Sequence, residues 1–219
     1  EVEVEVGSAK DVEQIMRKYD RESNTRIWEG TPAFAVRMIM VVFSLYCIWS
    51  TLFSVAALEK RLTMFLALVI VMGYLTYPAS KHHVRHNYIP WFDFVLMALG
   101  AAAFLYYFFT YDTLVTVLTS ATKMTPFHTA VGVIGILCLM ELCRRCVGVP
   151  ILGVVGVLLI YTFSTRIGIN RILYTLFYTT GGVLSTPVQV CAKYIIVFII
   201  FGAFLERTGI AAFFIDLAN

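Results

Sequence analysis

The sequence predicts an all-α fold, a polytopic transmembrane bundle of about six spans with one interfacial amphipathic helix beside them. Three observations carry this. Of the 219 residues 59% are hydrophobic and only 14% are charged, whereas a water-soluble chain needs roughly a quarter of charged residues to cover its surface. The charges gather at the N-terminus and in short clusters between long apolar runs. Those runs approach the ~20 residues that carry a helix across hydrocarbon, and none shows the ten-residue apolar/polar dyads of a barrel strand.

The N-terminal residues 1–31 are expected to be a cytoplasmic segment. Glu1-Val2-Glu3-Val4-Glu5-Val6 alternates as a strand does, but three like charges without a partner strand make a solvated tail. Neither a basic n-region nor an apolar signal core opens it, so the first span is expected to direct insertion. Across residues 11–29 acids alternate with bases, while Val12, Ile15, Met16 and Tyr19 fit one helical stripe, which predicts a short surface helix. The missing initial Met and the end at Leu217-Ala218-Asn219 predict termini that are not the natural ones.

Six spans are expected, at 32–58, 62–77, 91–111, 126–142, 147–163 and 188–205. Thr31-Pro32 reads as an N-cap followed by Pro at the first helical position, and Tyr77-Pro78 closes the second run. Aromatic clusters mark the headgroup levels, with Tyr74, Tyr77, Tyr88 and Trp91 near one and Tyr106, Tyr107 and Tyr111 near the other. Ala98, Gly100, Ala101, Ala102 and Ala103 allow close helix approach in the third span. Between the fifth and sixth spans, residues 164–186 are too polar to cross. They carry Ile169, Ile172, Leu173, Leu176 and Phe177 at helical spacing and predict an amphipathic helix at the outer interface, ended by Gly181-Gly182 and Pro187. The division that follows is 1–31 as N-terminal segment, 32–145 as a four-helix membrane domain, 146–187 as connecting helix and interfacial segment, and a domain boundary before 188–219. Lys and Arg are most frequent in the N-terminal tail, which predicts a cytoplasmic N-terminus.

Ionisable groups inside a membrane are functional suspects. Arg37 lies one turn inside the first span, where a long side chain can snorkel to the headgroups. Asp93 opens the third span and complements its helix dipole. Glu141 precedes Arg144 and Arg145 by three and four residues, the favourable direction for a helical ion pair, and the three are expected to close the fourth helix. A proton or ion relay there would need further acids at the same depth, and the sequence indicates none. Lys193 can snorkel outward, and Glu206-Arg207 ends the sixth span. His82, His83 and His86 share a loop with Lys81 and Arg85, which suits contact with anionic membrane lipid better than a metal. Cys143 and Cys146 have zinc-like spacing without a second ligand pair, and His128 stands alone, so no metal site is expected.

A net charge of +3 without a basic stripe speaks against nucleic acid. No nucleotide-binding Gly-rich loop with Lys occurs, nor a matched Ser/His/Asp or Cys/His set. The expectation is therefore no enzyme, no catalytic residues and no cofactor.

Several segments together resemble the fused membrane component of the tripartite ATP-independent periplasmic (TRAP) transporters, in which a four-helix small domain precedes the large permease domain. They are residues 19–26 (YDRESNTR), Tyr77-Pro78, Pro90-Trp91-Phe92-Asp93, and Glu141-Leu142-Cys143-Arg144-Arg145 followed by Gly148. The most specific is residues 201–209 (FGAFLERTG) followed by residues 213–218 (FFIDLA), which resembles the opening of the permease domain; Gly202, Glu206 and Gly209 are family-motif positions within it, and Pro187 is a further one before it. The resemblance implies a multi-pass protein of a bacterial or archaeal cytoplasmic (inner) membrane. It would receive an organic anion from a periplasmic substrate-binding protein, of the TAXI class in fused systems, and import it with a sodium or proton gradient. It further implies that this stretch is mainly scaffold and that substrate-binding residues lie beyond Asn219. A second reading is a standalone membrane scaffold or assembly protein without transport of its own.

Overall fold

The computed structural model describes residues 26, 28–79, 89–117, 123–165 and 167–210, and each regular element within them is helical. The order is α1 (Thr31–Leu52), α2 (Leu58–Thr76), α3 (Trp91–Val117), α4 (Pro126–Cys146), α5 (Val149–Ser164), α6 (Ile169–Tyr178) and α7 (Thr186–Arg207). A π turn over Cys191–Ile195 interrupts α7. The N-terminal surface helix and the His82, His83 and His86 loop lie outside the described residues.

Four helices, α1, α3, α4 and α7, are long and apolar enough to cross a bilayer. The two other expected spans are helices that fall short for separate reasons. α2 begins four residues earlier than the hydropathy suggests, taking Glu59, Lys60 and Arg61 into its first turn, and α5 has 16 residues. Other ends shift as well. Leu58 starts α2 instead of ending α1, α3 runs on to Val117, and α4 includes Arg144 and Arg145. The cap of α1 is Gly30, with no side-chain hydrogen bond, and Thr31 is already helical. Long polar side chains lie alongside an apolar bundle without ending the backbone ladder, so hydropathy alone misplaces helix ends, too early at Arg144 and Arg145 and too late at Leu58.

The core is built by α2, α3 and α4. α2 packs most extensively on α3, α3 on α4, and α1 lies against α2 and α7. Ile70, Tyr74 and Phe104 are buried at the centre. Of the small residues in α3, Gly100 and Ala103 are buried, Gly100 against Cys138 of α4 and Ile70 of α2, while Ala98 and Ala102 face outward. Small side chains here serve close packing, the main source of helix association where lipid is as apolar as leucine.

α6 is amphipathic as expected, but its apolar stripe faces the bundle. Ile172, Leu173, Phe177 and Tyr178 are buried. The Phe177 ring lies 5.0 Å from that of Phe104 and rests where Gly135 leaves α4 without a side chain. Tyr107 Oη donates to the Tyr178 carbonyl at 3.0 Å, and Tyr178 Oη to that of His128 at 2.8 Å. Tyr74 and Tyr107 are correspondingly buried inside the bundle. A phenol whose hydroxyl meets a carbonyl can be buried whole. Trp91, 79% exposed, keeps the position of an interfacial anchor.

Candidate functional site

The ends of α2 and α4 meet the start of α3 at one end of the bundle, and ionisable residues converge there. α4 closes with Glu141, Arg144 and Arg145 on adjoining positions of one face, as spacings of three and four require. Its backbone then stops sharply. Val147 and Gly148 both donate to the Cys143 carbonyl, and Gly148 adopts φ 105°, which favours glycine. Asp93 stands in the first turn of α3, after Pro90, whose carbonyl accepts from the Asp93 N–H at 3.0 Å. Arg26 reaches the same place from the segment before α1; its N–H donates to the Thr76 carbonyl at 2.9 Å, and nearby Trp28 Nε1 donates to that of Leu75 at 3.3 Å.

Glu141 takes a two-pronged bond from Arg144, Nε to Oε2 and Nη2 to Oε1, both 2.7 Å, and a third from Arg145 Nε at 2.8 Å. Arg145 also spans to the next helix, with Nη2 donating to Asp93 Oδ1 at 2.7 Å. Arg26 Nη2 holds the other oxygen, Oδ2. The side chains of Asp93 and Arg145 are 0% exposed and that of Arg26 5%. The Arg145 guanidinium further lies over the Tyr74 ring, 4.6 Å from its centroid, and Tyr74 Oη donates to the Cys138 carbonyl at 3.0 Å.

Three guanidiniums thus face two carboxylates. Burial lowers the Arg26 guanidinium from its usual value while Asp93 pulls the other way, and arginine keeps its charge in proteins. Each carboxylate oxygen of Asp93 and Glu141 accepts a guanidinium N–H, so both negative charges are already matched by arginines. Such a network can clamp elements together, although Nη1 of Arg26 and Nη1 of Arg145 are buried without a hydrogen-bond partner among the described residues. Breaking a buried pair costs about 3–5 kcal/mol because it strands a charge.

The sequence singled out Glu141, Arg144 and Arg145 but expected no further acid beside them. Asp93 is that acid, and Arg26 is its second partner. One signal was present: Asp93 is the sole charge in the apolar first five turns of α3. Its partner Arg26 gave none, since it lies among the mixed charges before α1.

The other residues singled out lie apart from this network. Arg37 is exposed on α1. His128 sits in the first turn of α4, its Nδ1 2.6 Å from the Oγ1 of the capping Thr125. Cys143 and Cys146 are half-buried free thiols, and no group of three or more metal-ligating side chains occurs among the described residues. Pro187 stands in the first turn of α7, and Gly209, at φ 75°, follows its end. Gly202 has open space around it.

Residues 133–219 match the family model of the tripartite ATP-independent periplasmic transporter, DctM component. No curated protein and no solved structure matches the chain.

Proposed function

We propose that this chain, a TRAP transporter membrane subunit through its residues 133–219, belongs to a binding-protein-dependent secondary transporter that imports an organic anion by cation symport. Its partner is a periplasmic substrate-binding protein, its place a cytoplasmic membrane, and its N-terminus faces the cytoplasm. Residues 32–145 act as scaffold, 146–187 as connector, and the permease domain proper opens at 188. Gly202, Glu206 and Gly209 belong to that opening, and Pro187 ends the connector.

The family match carries this reading. A feature of the bundle supports the scaffold role: the buried Asp93 and the partly exposed Glu141, where α2, α3 and α4 meet, are both paired with arginines, as in a frame. α5 and α7 also bury no residue in the described chain, which suits helices that pack on further membrane segments.

Uptake in proteoliposomes tests it. The full-length gene product, with its binding protein added, should accumulate a carboxylate under an imposed sodium or proton gradient. Uptake indifferent to both gradients would exclude symport. A stable, correctly inserted protein that moves no solute under any gradient would favour the standalone scaffold.

A further inference from the structure

The opposite end of α2 borders a cavity of about 250 Å³, enclosed by the end of α1, the start of α2 and the first turns of α7. Its lining contains two cations, Arg61 and Lys193, with the neutral polar groups of Tyr46, Ser50, Thr186 and Gln189. Neither cation forms an ion pair among the described residues. Asp112 holds Lys60 at 3.0 Å, and Glu59 accepts from Tyr111 Oη at 3.1 Å. Arg61 makes one side-chain hydrogen bond, from Nε to Ser50 Oγ at 3.2 Å, and Lys193 Nζ lies 5.3 Å from the Tyr194 ring.

Two like charges around one cavity repel each other unless an anion sits between them. Lys193 stands seven residues into α7, about 10 Å along its axis, and the next charge on that helix is Glu206. A lysine so placed either snorkels to headgroup level or stays at the cavity with a counter-charge. It also rides on the π turn Cys191–Ile195, a distortion that recurs at functional positions in helices. The positive end of the α2 dipole adds to the field, since Leu58 and Arg61 of its first turn line the same space.

We propose that this cavity binds an anionic phosphate group between Arg61 and Lys193, with Ser50, Thr186 and Gln189 as further donors. The remaining lining includes Leu58, Leu62, Phe65 and Val190, which suits the apolar part of a membrane lipid. A phosphatidylglycerol headgroup and free phosphate offer the same oxyanion chemistry, and they differ in the tail. Because α1 and α7 meet here, the bound anion would join the last helix to the bundle.

The experiment uses the full-length gene product, delipidated in neutral detergent, and follows its melting temperature with phosphatidylglycerol, phosphatidylcholine or inorganic phosphate. Phosphatidylglycerol is expected to raise it and phosphatidylcholine not. In the Arg61→Gln/Lys193→Gln variant the apparent affinity should fall at least about tenfold, as for loss of charge-assisted bonds. Stabilisation by inorganic phosphate, lost in the same variant, assigns the site to the free oxyanion. The proposal is overturned if neither anion stabilises, if phosphatidylcholine serves equally well, or if the variant responds like its parent. Should the double variant fail to fold, Lys193→Met alone decides by the same two criteria, because Lys193 is exposed.

Discussion

Arg145 Nη2 lies 2.7 Å from Asp93 Oδ1, and both side chains are fully buried, so the last turn of α4 is bonded to the first turn of α3 through an ion pair sealed from solvent. Arg26 completes it from the segment before α1. Three stretches distant in sequence therefore share one carboxylate.

Asp93→Asn is expected to destabilise the protein by about 3–5 kcal/mol, since Arg26 stays buried without its counter-charge and Arg145 keeps only Glu141. Arg145→Lys should also destabilise it, because an ammonium cannot bond Asp93 and Glu141 through one planar fork. Thermal melting in detergent measures both. A melting temperature unchanged in Asp93→Asn would show that the network does not hold the helices.

Tyr74 separates two contributions. Tyr74→Phe loses the hydrogen bond to the Cys138 carbonyl, about 0.5–1.5 kcal/mol, and keeps a ring beneath Arg145. Tyr74→Leu loses the ring too and should cost more in the same melting assay. Equal effects would mean that the contact between Arg145 and the ring contributes nothing.

Much of this fold was legible in the sequence, because span length and the exclusion of charge from hydrocarbon act on local stretches. The apolar runs mark the helices, and the spacing of Glu141, Arg144 and Arg145 places them on one face. What was not legible depends on partners far along the chain. Asp93 reads as a dipole complement until α4 brings Arg145 to it. Tyr74 and Tyr107 read only as aromatic markers of a membrane level, and the carbonyls on other elements that accept their hydroxyls are brought there by packing. The stripe of α6 looks suited to lipid because periodicity reports an apolar face without saying what covers it. Arg61 and Lys193 lie 132 positions apart in the chain, and only the packing of α1, α2 and α7 sets them around one cavity.

The packing of α6 on α4 gives a contrast between two glycines. A Cβ at Gly135 would run into the Phe177 ring, whereas one at Gly156 meets nothing. Gly135→Ala should destabilise by about 1–3 kcal/mol, the usual cost of overpacking, and Gly156→Ala should not. Equal melting temperatures for the two variants would remove α6 from the core.

Alkaline carbonate extraction of membranes from cells that express the protein tests the bilayer assignment most directly. Helices that cross the hydrocarbon stay with the lipid when high pH strips peripheral contacts, so the protein should remain in the pellet and enter solution only with detergent. Its recovery in the carbonate supernatant would contradict a membrane-spanning bundle.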